Sequence, residues 1–100
     1  MIKHVIIWTL SDSLSEEEKT KVKSNAKAAL EGLSGKIDGL LEIKLNVDML
    51  PSSNGEMMLD STFTNEDALK AYQIHPLHQA AANDFVRPFT ASRLCCDYEI

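Results

Sequence analysis

Cysteine is scarce in this chain of 100 residues: there are two, Cys95 and Cys96, side by side. Neighbouring side chains in an extended run point to opposite faces, so a bridge between them would be strained. Free thiols and a reducing compartment are expected instead. Long apolar runs are absent as well. The opening Met1-Ile2-Lys3-His4-Val5-Ile6-Ile7-Trp8 is too short to span a bilayer and no small-residue cleavage site follows it, which makes cytoplasmic the default location. Positive charge is in deficit: ten Lys and Arg stand against fifteen Asp and Glu, for a formal net charge of −5, and the basic residues are scattered. Nucleic acid and anionic membrane both reward a basic surface, so neither is expected as a partner.

What is there fits one compact domain over residues 1–100, since 44% hydrophobic and 25% charged residues suffice for one two-layer core and no more. Residues 2 to 10 are rich in β-branched and aromatic types and read as a strand with apolar side chains on both faces, hence a central one. Ser15 and Glu18 have the spacing of a capping box, and Val22, Ala26, Ala29, Leu30 and Leu33 recur at helical intervals, with Glu17–Lys21 and Lys27–Glu31 on the wet side. Gly32, Gly35 and Gly39 end that helix and turn the chain. Leu40 to Asp48 alternates, with Leu41, Ile43, Leu45 and Val47 on the apolar face. Glu56 to Phe63 is a third strand, with Met57, Leu59, Ser61 and Phe63 on one side. Thr64 or Asn65 caps a second helix, and Ser92 to Ile100 alternates as a fourth strand in which Leu94, Cys96, Tyr98 and Ile100 share a face.

The order β-α-β-β-α-β with right-handed crossovers gives an α+β, ferredoxin-like sandwich: a four-stranded antiparallel sheet with two helices on one face and the first and third strands in the centre. Helices cover only one side. The other, bearing Val5, Ile7, Thr9 and Met58 among Lys44, Asp60 and Arg93, is expected to be closed by a second copy, a homodimer joined through the open sheet faces. Cys95 is expected in that layer and Cys96 as a small buried residue.

The chemistry concentrates in residues 71–88, which hold two of the three histidines, one of the two tyrosines and two of the three prolines. Pro76 suits the first position of a helix and pushes His75 into an extended conformation, so the second helix stops at His75 and restarts at Pro76. His78 then falls in the first turn, where unpaired N–H groups and the helix dipole disfavour the imidazolium form. A neutral imidazole takes a proton or hydrogen-bonds a carbonyl near pH 7.

The opening Ile2-Lys3-His4-Val5-Ile6-Ile7-Trp8, the loop Pro51-Ser52-Ser53-Asn54, the segment from Ala68 to His78 with its Tyr-x-x-His-Pro-x-His run, and the closing Cys96-Asp97-Tyr98-Glu99 together resemble the stress-responsive α/β-barrel (Dabb) domain family over nearly the whole chain. That resemblance implies a small homodimer whose sheets join into a barrel, for most members without a known activity. One plant member of similar motif performs an aldol cyclisation of a polyketide chain with a tyrosine and a histidine. Carried over, those roles fall on Tyr72 as oxyanion partner and His78 as general base, without a cofactor. The first helix departs from that member, presenting Lys23, Ala26 and Lys27 where the cyclase has aromatic residues around its acyl pocket. Some plant members bind magnesium through backbone carbonyls after the first helix, and the matching turn here, Ser34 to Leu40, carries no side-chain signature for it.

Two readings follow. In one the protein is a dimeric stress or binding protein that takes a small organic ligand between sheet and helices, with His4, Trp8, Leu59 and His75 as walls; in the other it is a cofactor-free enzyme moving a proton beside a carbonyl. A cavity of order 300 Å³ or more where Tyr72, His78 and His4 converge separates a ligand site from a filled core. A zinc site built on His75 and His78 with His4 converging is the competing idea, but no metal is expected: His75 precedes the helix that carries His78, so the two do not share a helical face, and the cysteines lie on opposite faces of a distant strand.

Overall fold

The computed structural model describes all residues, Met1–Ile100. In chain order the elements are β1 (Ile2–Leu10), α1 (Glu16–Glu31), β2 (Leu40–Asn46), β3 (Met57–Phe63), α2 (Glu66–Gln73), α3 (Pro76–Phe85), a 3-10 turn (Arg87–Phe89) and β4 (Thr90–Glu99). The strands form one antiparallel sheet in the order β2-β3-β1-β4, the ferredoxin-like arrangement, with β1 and β3 in the centre. The interruption before Pro76 is complete enough to make three helices rather than two.

Burial in β1 alternates residue by residue. Ile2, His4, Ile6, Trp8 and Leu10 enter the core with α1 and α2, while Lys3, Val5, Ile7 and Thr9 stay on the open face. The capping box at the start of α1 is formed in both directions: Glu18 N–H donates to Ser15 Oγ at 3.1 Å and Ser15 N–H to Glu18 Oε1 at 2.9 Å. Gly35 and Gly39 turn the chain with φ of 78° and 82°. At Gly39 a side chain is also sterically barred, because a Cβ would lie 2.5 Å from that of Ala68 on α2.

Several expectations change. In β2 the register shifts between Leu40 and Glu42, so Leu40 takes the core position opposite Phe63 and Leu41 is left half exposed. In β4, pairing with β1 sets Cys95 opposite Ile6 and Cys96 opposite Val5. Cys95 therefore points to the helix side and Cys96 to the open face, the reverse of what was expected. Arg93 pairs with Trp8 and likewise leaves the open face for the helix side. The open face keeps Leu94, Cys96 and Tyr98, all exposed.

Lys27 and Glu31 are more than a surface pair. Lys27 Nζ donates to Glu31 Oε2 at 2.7 Å and to the Leu45 carbonyl at 2.8 Å, and Leu45 N–H donates to Glu31 Oε2 at 2.9 Å. Both backbone groups of Leu45 on the outer side of edge strand β2 are thereby satisfied by α1. The Glu17–Lys21 pair is not formed; Lys19 reaches Glu56 instead, at 3.4 Å. Glu31→Ala strands the Leu45 N–H and is expected to destabilise the fold by about 1.5–3 kcal/mol, read as a lower urea midpoint at unchanged slope.

Candidate functional site

The break between α2 and α3 is built locally. Ile74 ends α2, and His75 adopts an extended conformation (φ −66°, ψ 134°) as the cap of α3, its Nδ1 accepting from Leu77 N–H at 3.1 Å. Gln79 Nε2 donates across the break to the Gln73 carbonyl. The His75 ring is thus engaged in capping and lies outside the cavity described next.

Below α3 and above the sheet is a cavity of about 240 Å³. β1 contributes His4, Ile6 and Trp8, β3 contributes Leu59, α1 contributes Leu30, and α3 contributes His78 and Ala82. Its rim is polar, formed by Gln73, Arg87, Thr90 and Arg93. The volume lies below the common range of roughly 300–1,000 Å³ for ligand sites, which limits any occupant to a small molecule. A larger, shallower depression of about 360 Å³ lies alongside, between α2 and the end of β4. It is lined by Glu66, Asp97 and Glu99 among others, and neither Tyr72 nor His78 lines it.

Tyr72 and His78 are in contact, with ring centroids 4.2 Å apart and planes inclined by 39°. Tyr72 is fully buried, packed on Phe63 at 4.9 Å, and does not itself line the cavity. Its hydroxyl and the His78 Nδ1 are both buried without a hydrogen-bond partner. Two such orphans on rings in contact are unusual, because an unpaired buried polar atom costs about 1–3 kcal/mol. Burial raises the Tyr72 hydroxyl above its ordinary value, so it stays protonated. His78 is pushed down to about 4, first by burial and then by the positive field of Arg87 and other cationic neighbours including Arg93. The imidazole is neutral as the sequence implied, with burial the first cause and the cationic neighbours after it.

His4 is buried to 1% exposure in the middle of β1. Its Nδ1 donates to Asp97 Oδ1 at 2.5 Å, across the register that sets the two residues opposite each other. The ring lies edge-on to both Phe63 and Tyr72 at 6.2 Å. Cys95 Sγ lies 3.8 Å from the same nitrogen and 3.4 Å from the same carboxylate oxygen. Burial, followed by the nearby Asp97, raises the thiol above its usual range.

Of the residues singled out from the sequence, the cavity joins His78, His4, Trp8 and Leu59, with Tyr72 behind His78, and leaves out His75. Sequence reasoning missed Arg87, Arg93, Asp97 and Cys95. A signal for the first two was present: they are the chain's two arginines. Arg87 donates to the amide oxygens of Gln79 and Asn83, and none of the four ion pairs involves either arginine, so both positive charges reach the cavity uncompensated.

Fold and site together define a small ferredoxin-like α+β protein with a cavity between its sheet and helices. Residues 2–100 match the model of the stress responsive A/B barrel domain, and the chain belongs to that family. It is 32% identical over 101 residues to an uncharacterized protein of Streptomyces coelicolor, covering 99% of both chains. A crystal structure from Bacteroides fragilis, described as a dimeric protein of unknown function and ferredoxin-like fold, superposes with a TM-score of 0.92 at 35% identity, over 99% of this chain and 95% of that one. A hydroxynitrile lyase from Passiflora edulis has the same fold, with a TM-score of 0.73 at 16% identity over 99% and 92% of the two chains. The family therefore includes proteins without an assigned function and shares its fold with enzymes.

The depressed His78 carries a pH signature. Between about pH 6.5 and 4 the unfolded chain binds a proton at this position that the folded chain refuses, so stability is lost as pH falls through that window. Melting temperatures measured across it should fall more steeply for the wild type than for His78→Leu. Equal slopes would mean that the ring is not desolvated as described.

Proposed function

We propose that the protein works as a homodimer and binds a small organic acid in the cavity between sheet and helices. The observation that carries this reading is the meeting of both arginines with the neutral, unpartnered His78 around one small apolar space. In a chain of net charge −5, two uncompensated cations at the rim favour a carboxylate or a similar anionic head. Trp8, Ile6, Leu30 and Leu59 suit an apolar body behind that head, and the His78 ring forms part of the same wall.

Proton transfer with His78 as general base and Tyr72 as oxyanion partner is the second reading, favoured by their tilted ring contact and by their orphaned polar atoms. A base titrating at about 4 takes protons poorly near pH 7, and this weighs toward binding. Dimerisation through the open face is supported by the exposed Leu94 and Tyr98 beside Val5, Ile7 and Met58, and by the dimeric description of the Bacteroides fragilis relative.

A thermal-shift screen of small carboxylic acids against the wild type, His78→Ala and Arg93→Ala tests the site. Acids are expected to stabilise the wild type in a concentration-dependent way. Arg93→Ala should lose the acids and keep their neutral amide analogues, and stabilisation that is equal in all three proteins would count against this cavity. Sedimentation should give twice the chain mass for the wild type at micromolar concentration and a monomer for Tyr98→Asp. A monomeric wild type would exclude the proposed dimer.

A further inference from the structure

We infer that His4, Cys95 and Asp97 form a binding site for one divalent cation of the zinc class, on the helix side of the β1–β4 pair. His4 Nδ1, Cys95 Sγ and a carboxylate oxygen of Asp97 lie within 4.8 Å of one another. The ladder brings them together: His4 pairs with Asp97, Ile6 pairs with Cys95, and all three side chains fall on the same face.

The spacing suits tetrahedral coordination. With metal bonds of about 2.3 Å to sulfur and about 2.0–2.1 Å to nitrogen and oxygen, the edges between ligand atoms come to roughly 3.4–3.6 Å. The sulfur already stands 3.8 Å from Nδ1 and 3.4 Å from Oδ1. The Nδ1–Oδ1 edge, 2.5 Å, has to open by roughly 0.9 Å to reach that value. This movement falls to Asp97, whose side chain is 40% exposed, while the His4 ring is held in place between Phe63 and Tyr72. The exposed side of Asp97 is also the way in for the ion. Asp97 forms no ion pair with a lysine or arginine, so its charge is available.

The donor set of thiolate, imidazole and carboxylate selects zinc or cobalt over magnesium or calcium, which take oxygen ligands. Three protein ligands leave a fourth position for water. On binding, the Cys95 S–H bond breaks and its proton goes to solvent; the His4 proton moves from Nδ1 to Nε2; metal–sulfur, metal–nitrogen and metal–oxygen bonds form, and no electron is transferred. Cys95 and Asp97 do not line the ligand cavity and His4 does, so the two sites share that one wall, while the metal site stands on its own ligand geometry and not on the proposed acid-binding function.

Cobalt(II) is the probe, added to the whole, reduced, metal-stripped protein. One equivalent per chain should bind with a thiolate-to-cobalt charge-transfer band, be displaced by zinc, and shift the His4 ring nitrogens in a long-range proton–nitrogen spectrum. Cys95→Ser should abolish the band, and both Cys95→Ser and Asp97→Asn should weaken binding by at least about tenfold. Cys96→Ser, on the opposite face, should bind as the wild type does. Circular dichroism shows whether each variant remains folded. No retained cobalt at micromolar concentration, binding without the thiolate band, or a folded Cys95→Ser that binds like the wild type would each overturn the assignment.

Discussion

Strand β1 is hydrogen-bonded along both edges, and that removes any choice about which way its residues face. Slipping by one position would turn five core side chains outward, among them Trp8 and Leu10, so the register is strongly fixed. His4 is carried into the interior by this constraint, since it occupies an inward position of the most tightly specified strand. A buried imidazole needs a partner, and the neighbouring strand supplies Asp97 directly opposite. The polar chemistry of the interior thus follows from the pairing of two strands.

The second constraint is the break at Ile74–His75–Pro76. A continuous helix from Glu66 to Phe85 would run straight along the sheet. The cap at His75 instead redirects the chain, and His78 comes to rest on Tyr72 of the preceding helix. One histidine is used to make the corner and the other is placed by it. The same redirection leads into the 3-10 turn, which starts at Arg87, and on to β4, where Arg93 stands opposite Trp8 and joins the cavity wall. At His75 the Tyr-x-x-His-Pro-x-His run serves as the backbone cap that the following proline implies.

The architecture was legible because local signals agreed with one another. The capping box at Ser15 and Glu18, the glycine-rich turn after α1, the two-faced pattern of β1 and the proline at 76 each formed as read. Facing was less legible in the edge strands. The Leu40–Glu42 bulge exchanges Leu40 for Leu41 in the core, and nothing in an alternating run marks where an extra residue is absorbed. In β4 both alternating sets hold a cysteine, and the choice between them rests on pairing with β1, a contact across some ninety positions of sequence. Cys95 was separated from His4 for that reason. The arginines were overlooked because they counted as two of ten scattered basic residues, and only the fold brings them to one rim.

The clamp that Lys27 and Glu31 place on Leu45 bears on how the sheet meets other chains. A strand edge whose amide and carbonyl are already taken offers no ladder for a foreign segment to extend, and β2 is closed in this way at Leu45, one residue before its C-terminal end. β4 is the other border, ten residues long and bordered by charged side chains at Arg93, Asp97 and Glu99. Lateral growth would have one side left to it, so even an edge-to-edge encounter between two molecules would terminate as a closed pair instead of propagating into a fibre.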